Sequence, residues 1–443
     1  MDAEIALRSC KQPAGRLVRP AGFAILLAIA LAAVSPANAA VVRANVGEVS
    51  ERTAARPQWL GFGEDRAAAR LIDLLQSSEL DGINPKQFKI GALKKAVRAA
   101  GSGKFSAADK ANILLDRALL SYIAALRQAP TSHWIINDRA AIPSSQSTSK
   151  LLAEAAAAPS LDAWLQTMPF MHPAYAGLRA ALTRAVANGD NQSADLLRIN
   201  LQRVRFLPAS GRYVLVNTAA QRLYMYEDGR VADEMRVVVG KPVNPTPMMA
   251  ATIKFTALNP YWNVPPDLAA ERIAPNVRKQ GTAYLKKMGY IVLSDWSDRA
   301  TPIDPSTVDW QAVADGRVQI RVRQDPGPHN AMGRMKFMFP NPQGIYLHDT
   351  PDKDLLNEEA RLFSGGCVRL EDAPRLARWL YGKPLNPKGA KTEQPVGLST
   401  PVPVYLAYLT AMPSDDGVVF YSDIYGKDRS QLAGASNGRV AAR

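Results

Sequence analysis

Two short segments of the sequence carry side chains that could do covalent chemistry. His348 lies in the segment Tyr346–Thr350, and Cys367 follows 19 residues later in the segment Ser364–Leu370. A thiol is a weak nucleophile at its free pKa of about 8.5, and a neighbouring imidazole can take its proton and leave a thiolate–imidazolium pair. From these residues alone we predict a Cys–His nucleophilic site, and the alternative is an inert, buried cysteine.

The residues before the cysteine fit such a site. Gly365 and Gly366 allow unusual backbone dihedral angles and a close approach of a substrate carbonyl. Backbone N–H groups in such a turn can form an oxyanion hole. Four histidines and two cysteines at no ligand-like spacing disfavour a zinc site, so we predict neither a metal ion nor a cofactor.

Residues 1–39 have the features of an export signal. Basic residues precede an apolar run from Ala21 to Val34, which at 14 residues is shorter than a helix that spans a bilayer, for which about 20 are needed. Small residues at Ala37 and Ala39 then form a cleavage pattern. We expect a cleaved signal and no integral membrane span after cleavage, and an uncleaved anchor is the alternative.

Cysteine counting points to the same residue as the motif. Cleavage would remove Cys10 and leave Cys367 as the single cysteine of an exported protein. Because exported proteins meet an oxidising environment, a lone thiol there is either buried and inert or kept free for chemistry. Two cysteines also exclude a disulfide-rich scaffold.

Composition excludes several classes of protein and indicates an anionic partner. With 47% hydrophobic and 21% charged residues among 443, the chain has ordinary globular composition rather than that of a disordered protein. Its net charge of +14 falls to +12 without the predicted signal, which carries a net charge of +2. That charge suits a polyanionic cell wall, although membrane lipids or nucleic acid would be attracted equally. Export disfavours nucleic acid.

The apolar pattern changes from helical to strand-like spacing near Pro208. Before it, apolar residues recur at helical spacing, as in Leu114–Leu126. After it come short β-branched runs with hairpin signals such as Asp228-Gly229. We therefore predict an α+β protein, with a helical scaffold domain at 40–207 and a mostly β catalytic domain at 208–428.

Two stretches depart from this division. The charged stretch at about 275–338 loses the strand pattern, so we interpret it as a capping insertion over the β core. Residues 429–443 are rich in Ser, Ala, Gly and Arg, and we predict a flexible tail.

His348 and the run Ser364–Arg369 resemble the signature of the L,D-transpeptidases, which carry a YkuD-type catalytic domain. In more detail, the chain resembles the large periplasmic YcbB-like branch of that family, and the likeness covers nearly all of residues 210–428. The other stretches that carry it are Val237–Lys241, Thr246–Pro247, Asn259–Pro265, Pro326–Gly333, Lys336–Asn341 and Tyr346–Pro351.

The resemblance implies a reaction on peptidoglycan stem peptides. Cys367 attacks the carbonyl of the third stem residue, usually meso-diaminopimelate, in a tetrapeptide donor; D-alanine leaves and a thioester forms. His348 takes the thiol proton and returns it to the leaving amine, and Asp349 or a nearby backbone carbonyl orients the imidazole. The side-chain amine of a second diaminopimelate then resolves the thioester into a 3→3 cross-link. The resemblance also implies a periplasmic, Gram-negative location and acylation by carbapenems.

Further residues receive roles by the same resemblance. The backbone N–H of Cys367, with Gly366 and the Tyr346 hydroxyl, would stabilise the oxyanion. Ser364 would help to form the substrate site, and Trp262 would line either the cleft or the core.

One more role concerns charge. Arg369 would pair with a stem-peptide carboxylate, and its alternative is a structural ion pair with Glu371 or Asp372.

Two departures from the family pattern matter. Gly365 stands where the family often has His or Ser, which removes any side-chain hydrogen bond from that position. A peptidoglycan-binding module common in the branch does not fit between the helical part and the catalytic domain, where only about 187–205 intervene. Other functions remain open: an L,D-carboxypeptidase if water resolves the thioester, a protein-anchoring transpeptidase if a protein amine does, or a non-catalytic wall-binding scaffold.

Overall fold

The structure is a computed structural model that describes residues 55–60, 65–128, 131, 133–387, 389 and 392–441. The predicted export signal at 1–39, with Cys10, lies outside these residues. In the described part of the chain, no helix has the length and apolar character needed to cross a membrane.

Helices dominate the first half, as the sequence predicts. The α-helices are α1 Asp65–Gln76, α2 Ile90–Ala100, α3 Phe105–Arg127, α4 Thr148–Ala157, α5 Leu161–Thr167, α6 Ala174–Ala187, α7 Asn191–Val204, α8 Pro266–Leu268, α9 Ala274–Gln280, α10 Ala283–Met288, α11 Trp310–Ala314, α12 Ala373–Tyr381 and α13 Lys427–Ala441. Helices α4, α5 and α7 begin at Ser147, Ser160 and Asp190, whose side chains accept backbone N–H bonds of the first turn.

Strands dominate the second half. They are β1 Ile135–Ile136, β2 Tyr213–Asn217, β3 Arg222–Glu227, β4 Arg230–Gly240, β5 Met249–Leu258, β6 Trp262–Val264, β7 Tyr290–Leu293, β8 Arg321–Gln324, β9 Met335–Met338, β10 Leu347–His348, β11 Leu362–Ser364, β12 Val368–Leu370, β13 Gln394–Ala407, β14 Ala411–Ser414 and β15 Gly417–Phe420. The predicted α+β fold, helical first and mostly β afterwards, is confirmed.

The main sheet closes on itself. Its order is β5-β13-β2-β3-β4-β12-β10-β9, and β9 pairs with both β10 and β5. Strands β1 and β11 add to β5 and β4. One face of this sheet buries alternate apolar residues such as Val214, Val216 and Leu347, together with the apolar side of α12.

The helices pack on the opposite face of the same sheet. Tyr213 and Leu215 of β2 and Tyr405 of β13 belong to one apolar cluster with residues of α1, α3, α6 and α7. The predicted boundary at 207/208 falls in the connection between α7 and β2. The helical part and the sheet therefore share a core across that boundary.

A buried carboxylate holds the helical part together. Asp81 accepts hydrogen bonds from the hydroxyls of Tyr122 (2.7 Å) and Tyr175 (2.8 Å) and forms an ion pair with Arg179 (2.9 Å). The Asp81 side chain is fully buried and that of Arg179 is 10% exposed. Removal of the carboxylate would leave an uncompensated charge in the interior.

We expect Asp81→Ala to lower the free energy of unfolding by about 3–5 kcal/mol, the cost of breaking a buried ion pair by removing one partner. Urea denaturation measures it. Asp195→Ala is the matched control, because its pair with Arg198 is exposed, and such pairs contribute about 0–1 kcal/mol. Equal losses in the two variants would contradict the expectation.

The inserted segment differs in its limits from the sequence prediction. Strands β6, β7 and β8 form a separate antiparallel sheet with its own core, which includes Val264 and Val322, between β5 and β9. The insertion therefore begins before residue 275. It also ends before 338, because Met335–Met338 is a strand of the main sheet, with Met335 and Phe337 buried in its core.

Most of the predicted tail, residues 429–443, belongs to a helix, whereas its flexibility stays a prediction. Residues Lys427–Ala441 form α13. Asp428, in its first turn, is buried, forms an ion pair with Arg203 (2.6 Å) and accepts from the Thr410 hydroxyl (2.5 Å). Local composition does not reveal this anchor just before the predicted tail, because Arg203 is 225 residues away from Asp428.

Candidate active site

The strand register brings the two chemical segments together. Strands β10 and β12 run parallel, with Leu347 opposite Val368 and His348 opposite Arg369. The N–H of Val368 donates to the carbonyl of Tyr346 (2.9 Å). Leu347 and Val368 lie in the core of the sheet. Because side chains alternate along a strand, His348 and Arg369 occupy the opposite face, and Cys367 lies on that side too.

The turn before the cysteine is held by hydrogen bonds. The Ser364 hydroxyl donates to the carbonyl of Cys367 (2.5 Å) and accepts from the N–H of Gly366 (3.1 Å). Gly366 has φ +119°, and its carbonyl accepts from the Thr246 hydroxyl (2.7 Å). The hydroxyl of Thr246 also accepts from the N–H of Gly240 in β4 (3.0 Å). The turn is thus anchored to the main sheet.

The thiol of Cys367 is free and half-buried. Its Sγ donates to the carbonyl of Gly344 at 3.5 Å. Burial raises the pKa of the thiol, against the opposing effects of the Tyr346 backbone N–H, Lys336 and Arg369. The resting cysteine is therefore a thiol, with groups around it that favour the thiolate.

His348 is buried, at 2% exposure. Its Nδ1 lies 2.6 Å from the carbonyl oxygen of Asp349. Because that oxygen can only accept, Nδ1 carries the proton and Nε2 presents a lone pair. Burial, then Arg369, then Lys336 lower the pKa of His348 to about 3. The resting pair is neutral thiol and neutral imidazole, in contrast to the thiolate–imidazolium pair that the sequence analysis envisaged.

The side chain of Asp349 is directed elsewhere. Its carboxylate pairs with Lys353 (2.7 Å) and accepts from the backbone N–H of Arg334 (3.0 Å). A Cβ on Gly333 would come within 2.6 Å of this side chain, so the two segments are tightly packed. Of the two orienting groups that the sequence analysis considered for the imidazole, the structure shows the backbone carbonyl in place.

Two family profiles match parts of this chain. A family profile described as the L,D-transpeptidase catalytic domain, YkuD, matches residues 211–404, and one described as a scaffold domain matches residues 51–182. The chain combines an L,D-transpeptidase catalytic domain with a scaffold domain.

A Haemophilus influenzae protein named "Putative L,D-transpeptidase" is 33% identical over 240 residues. The match covers 53% of this chain and 48% of that protein, so the chain spans about half the length of this relative. Among solved structures, an L,D-transpeptidase from Mycobacterium smegmatis is 15% identical over 45% of this chain and 59% of that one, with a TM-score of 0.23. An Enterococcus faecium L,D-transpeptidase is 15% identical over 44% of this chain and 50% of that one, with a TM-score of 0.20.

Arg369 has a partner that the sequence analysis did not consider. Its guanidinium lies 3.3 Å from the carboxylate of Asp352, which is itself largely exposed. Glu371, one of the two expected partners, pairs with Arg236 instead (2.6 Å). Arg369 therefore lies on the same face of the sheet as Cys367, and the exposed carboxylate of Asp352 holds its guanidinium there.

The predicted oxyanion donors differ in availability. The N–H of Gly366 is engaged by Ser364, which removes it as a free donor. Among the described residues, no partner is found for the N–H of Cys367. The Tyr346 side chain is half-buried, and its pKa is raised by burial and by Cys367, which places the phenol near the sulfur.

Trp262 belongs to the sheet of the insertion. It pairs with Gln324 across β6 and β8, and its ring lies 6.4 Å from that of Tyr290. Trp262 is half-buried and packs against the core of the insertion, and its predicted place in the cleft stays a prediction. The insertion approaches the site through Arg272 instead, whose charge lowers the pKa of Arg369.

Lys336 is a site residue that the sequence analysis did not single out. It lies opposite His348 across β9 and β10, and its Nζ is 3.7 Å from the centroid of the Tyr346 ring. The alternation of apolar Met335 and Phe337 with charged Lys336 indicates a strand whose Lys336 side chain lies on the face opposite the core. It was overlooked because the stretch was assigned to the insertion.

Gly366 offers a test of the turn. A Cβ there would lie 3.0 Å from Cδ1 of Ile345, in a backbone region that side chains rarely adopt. We expect Gly366→Ala to cost about 1–3 kcal/mol of stability and to reduce turnover by displacing Cys367. Thermal unfolding and product formation measure the two effects.

Gly365→Ala is the matched control for stability. Gly365 is exposed, and a Cβ there would meet open space. We expect its melting temperature to stay close to that of the wild type. If Gly365→Ala were as destabilised as Gly366→Ala, the positive φ of Gly366 would not be the cause.

Proposed function

We propose that this protein is a peptidoglycan L,D-transpeptidase that forms 3→3 cross-links through a cysteinyl thioester. The observation that carries the proposal is a half-exposed thiol on a Gly-Gly turn, which the strand register puts on the same face of the sheet as a buried imidazole with an available Nε2 lone pair. This pairing lies in a domain that matches the L,D-transpeptidases.

The first half of the reaction breaks the donor peptide. The thiol proton moves to Nε2 of His348 as Sγ of Cys367 bonds to the carbonyl carbon of the third stem residue. The N–H of Cys367 donates to the resulting oxyanion, and one such donor contributes about 2.7–4 kcal/mol. The C–N bond then breaks, and His348 returns the proton to the amine of the departing D-alanine.

The second half makes the cross-link. The side-chain amine of a second diaminopimelate attacks the thioester and gives its proton to His348. The C–S bond breaks, an amide forms, and the thiol recovers the proton. Each step is a proton or acyl transfer between groups already named, so the scheme calls for no metal ion and no redox cofactor.

The surroundings of the site suit an anionic donor. Lys336 and Arg369 place two cations on the face of the thiol, and stem peptides carry carboxylates. The net charge of +12 that remains without the predicted signal (14 − 2) suits retention at an anionic wall. We extend the proposal to a periplasmic location of the Gram-negative type, with carbapenems as acylating inhibitors.

Incubation of the purified protein with diaminopimelate tetrapeptide muropeptides tests the proposal. We expect cross-linked dimers and released D-alanine, both detected by mass spectrometry. Tripeptide without dimer would make the protein an L,D-carboxypeptidase. No release of D-alanine and no carbapenem adduct would overturn the catalytic proposal and favour the non-catalytic scaffold.

A further inference from the structure

Lys336 occupies a central place on the reactive face of the sheet. It is opposite His348, which in turn is opposite Arg369, so the three side chains form a row across β9, β10 and β12. Tyr346 lies one step along this face, and the Lys336 ammonium sits over its ring at 3.7 Å. A cation over an aromatic face is held in place by the ring electrons.

The two cations of the row differ in how they are compensated. Arg369 pairs with Asp352 at 3.3 Å. Lys336 forms no ion pair within 4.0 Å among the residues that the structure describes. Burial lowers the pKa of Lys336, and the carboxylate that opposes this shift is Glu393, which already accepts from the N–H of Tyr261. The charge of Lys336 is therefore the less compensated of the two beside the sulfur.

We propose that Lys336 is a positioning residue whose positive charge stabilises the Cys367 thiolate as the thiol proton moves to His348. The same charge adds to the larger effects of burial and Arg369, which keep His348 neutral in the resting enzyme so that the imidazole can accept the proton. The consequence for cross-linking rests on the proposed function, whereas the effect on the thiol does not.

Several charged groups act on this sulfur or on its neighbours. His348 faces it from β10, Tyr346 from two positions earlier in the chain, Arg369 from β12 and Lys336 from β9. Behind them, Arg272 and Asp352 act on Arg369, and Glu393 acts on Lys336. Replacement of Lys336 alone leaves the other groups in place, and therefore isolates its contribution.

The rate of alkylation of Cys367 by iodoacetamide, followed against pH, tests the proposal without any peptide substrate. We expect Lys336→Met, which keeps the length and apolar stem of the side chain, to raise the thiol pKa by about one unit. Alkylation at a fixed pH below that pKa then falls about tenfold. Lys336→Arg keeps the charge and is expected to restore most of the rate.

Lys254→Met is the matched control, because Lys254 is an exposed β5 residue paired with Asp138. We expect its alkylation profile to be that of the wild type. A wild-type profile in a folded Lys336→Met protein would overturn the inference, and Lys336→Gln repeats the test if the first variant unfolds. A shifted profile in an enzyme that makes no cross-links would refute the proposed function and leave this inference standing.

Discussion

Cys367→Ala is expected to abolish cross-linking and the carbapenem adduct while leaving the fold intact. Without the sulfur no thioester can form, and loss of a covalent nucleophile costs about 10⁴-fold or more in turnover. The side chain is half-buried, and its one side-chain hydrogen bond, to Gly344, is long at 3.5 Å. Removal of Sγ therefore has a small expected effect on stability, below about 1 kcal/mol.

Mass spectrometry of the intact protein and of the muropeptide products measures this result. Cys367→Ser is the companion variant, because it keeps the shape of the side chain but replaces the thiol by a hydroxyl that the imidazole activates poorly. Both variants should melt close to the wild type. Cross-linking by Cys367→Ala at the wild-type rate would show that the reaction uses another group.

The part of the site that sequence could predict is local in the chain. Cys367 with its two glycines and His348 at the end of a strand are legible because each lies within one short segment. The helical and β halves were predictable because apolar spacing differs between them near Pro208. The identity of the orienting carbonyl, that of Asp349, was left as one of two alternatives.

The rest depends on contacts between distant segments. The pair of Arg369 with Asp352 and the placement of Lys336 over Tyr346 follow from strand register, which the sequence does not specify. The anchor of α13 joins residues 203 and 428. The buried Asp81 draws its partners from two helices, α3 and α6. The spacing of apolar residues could not predict these contacts, because it indicates only which face of a single helix or strand is buried.

His348→Gln is expected to lower kcat/KM for cross-linking by about 10²–10⁴-fold, the usual contribution of a positioned general base. Glutamine can still donate to the Asp349 carbonyl, but it offers no basic nitrogen to the thiol. His172→Gln is the matched control. His172 is equally buried, and its pKa is also lowered to about 3, but it lies in the helical part, where Nδ1 accepts from the N–H of Ala174 (3.1 Å). That variant should keep its activity per folded molecule.

The pH dependence distinguishes a neutral imidazole from a thiolate–imidazolium pair. With a pKa of about 3 in the folded protein, His348 is neutral from pH 5 to 8, so kcat/KM should show no acid limb near pH 6.5.

The pH dependence of the free energy of unfolding tests the same lowered pKa of His348. The unfolded chain binds more protons between pH 6.5 and 3, so the contribution of this histidine is complete above pH 6.5 and is lost as the pH falls through that window. The loss should be smaller in His348→Gln. An activity profile that instead falls below pH 6.5, with an unchanged stability slope in the variant, would mean that the resting imidazole carries a proton.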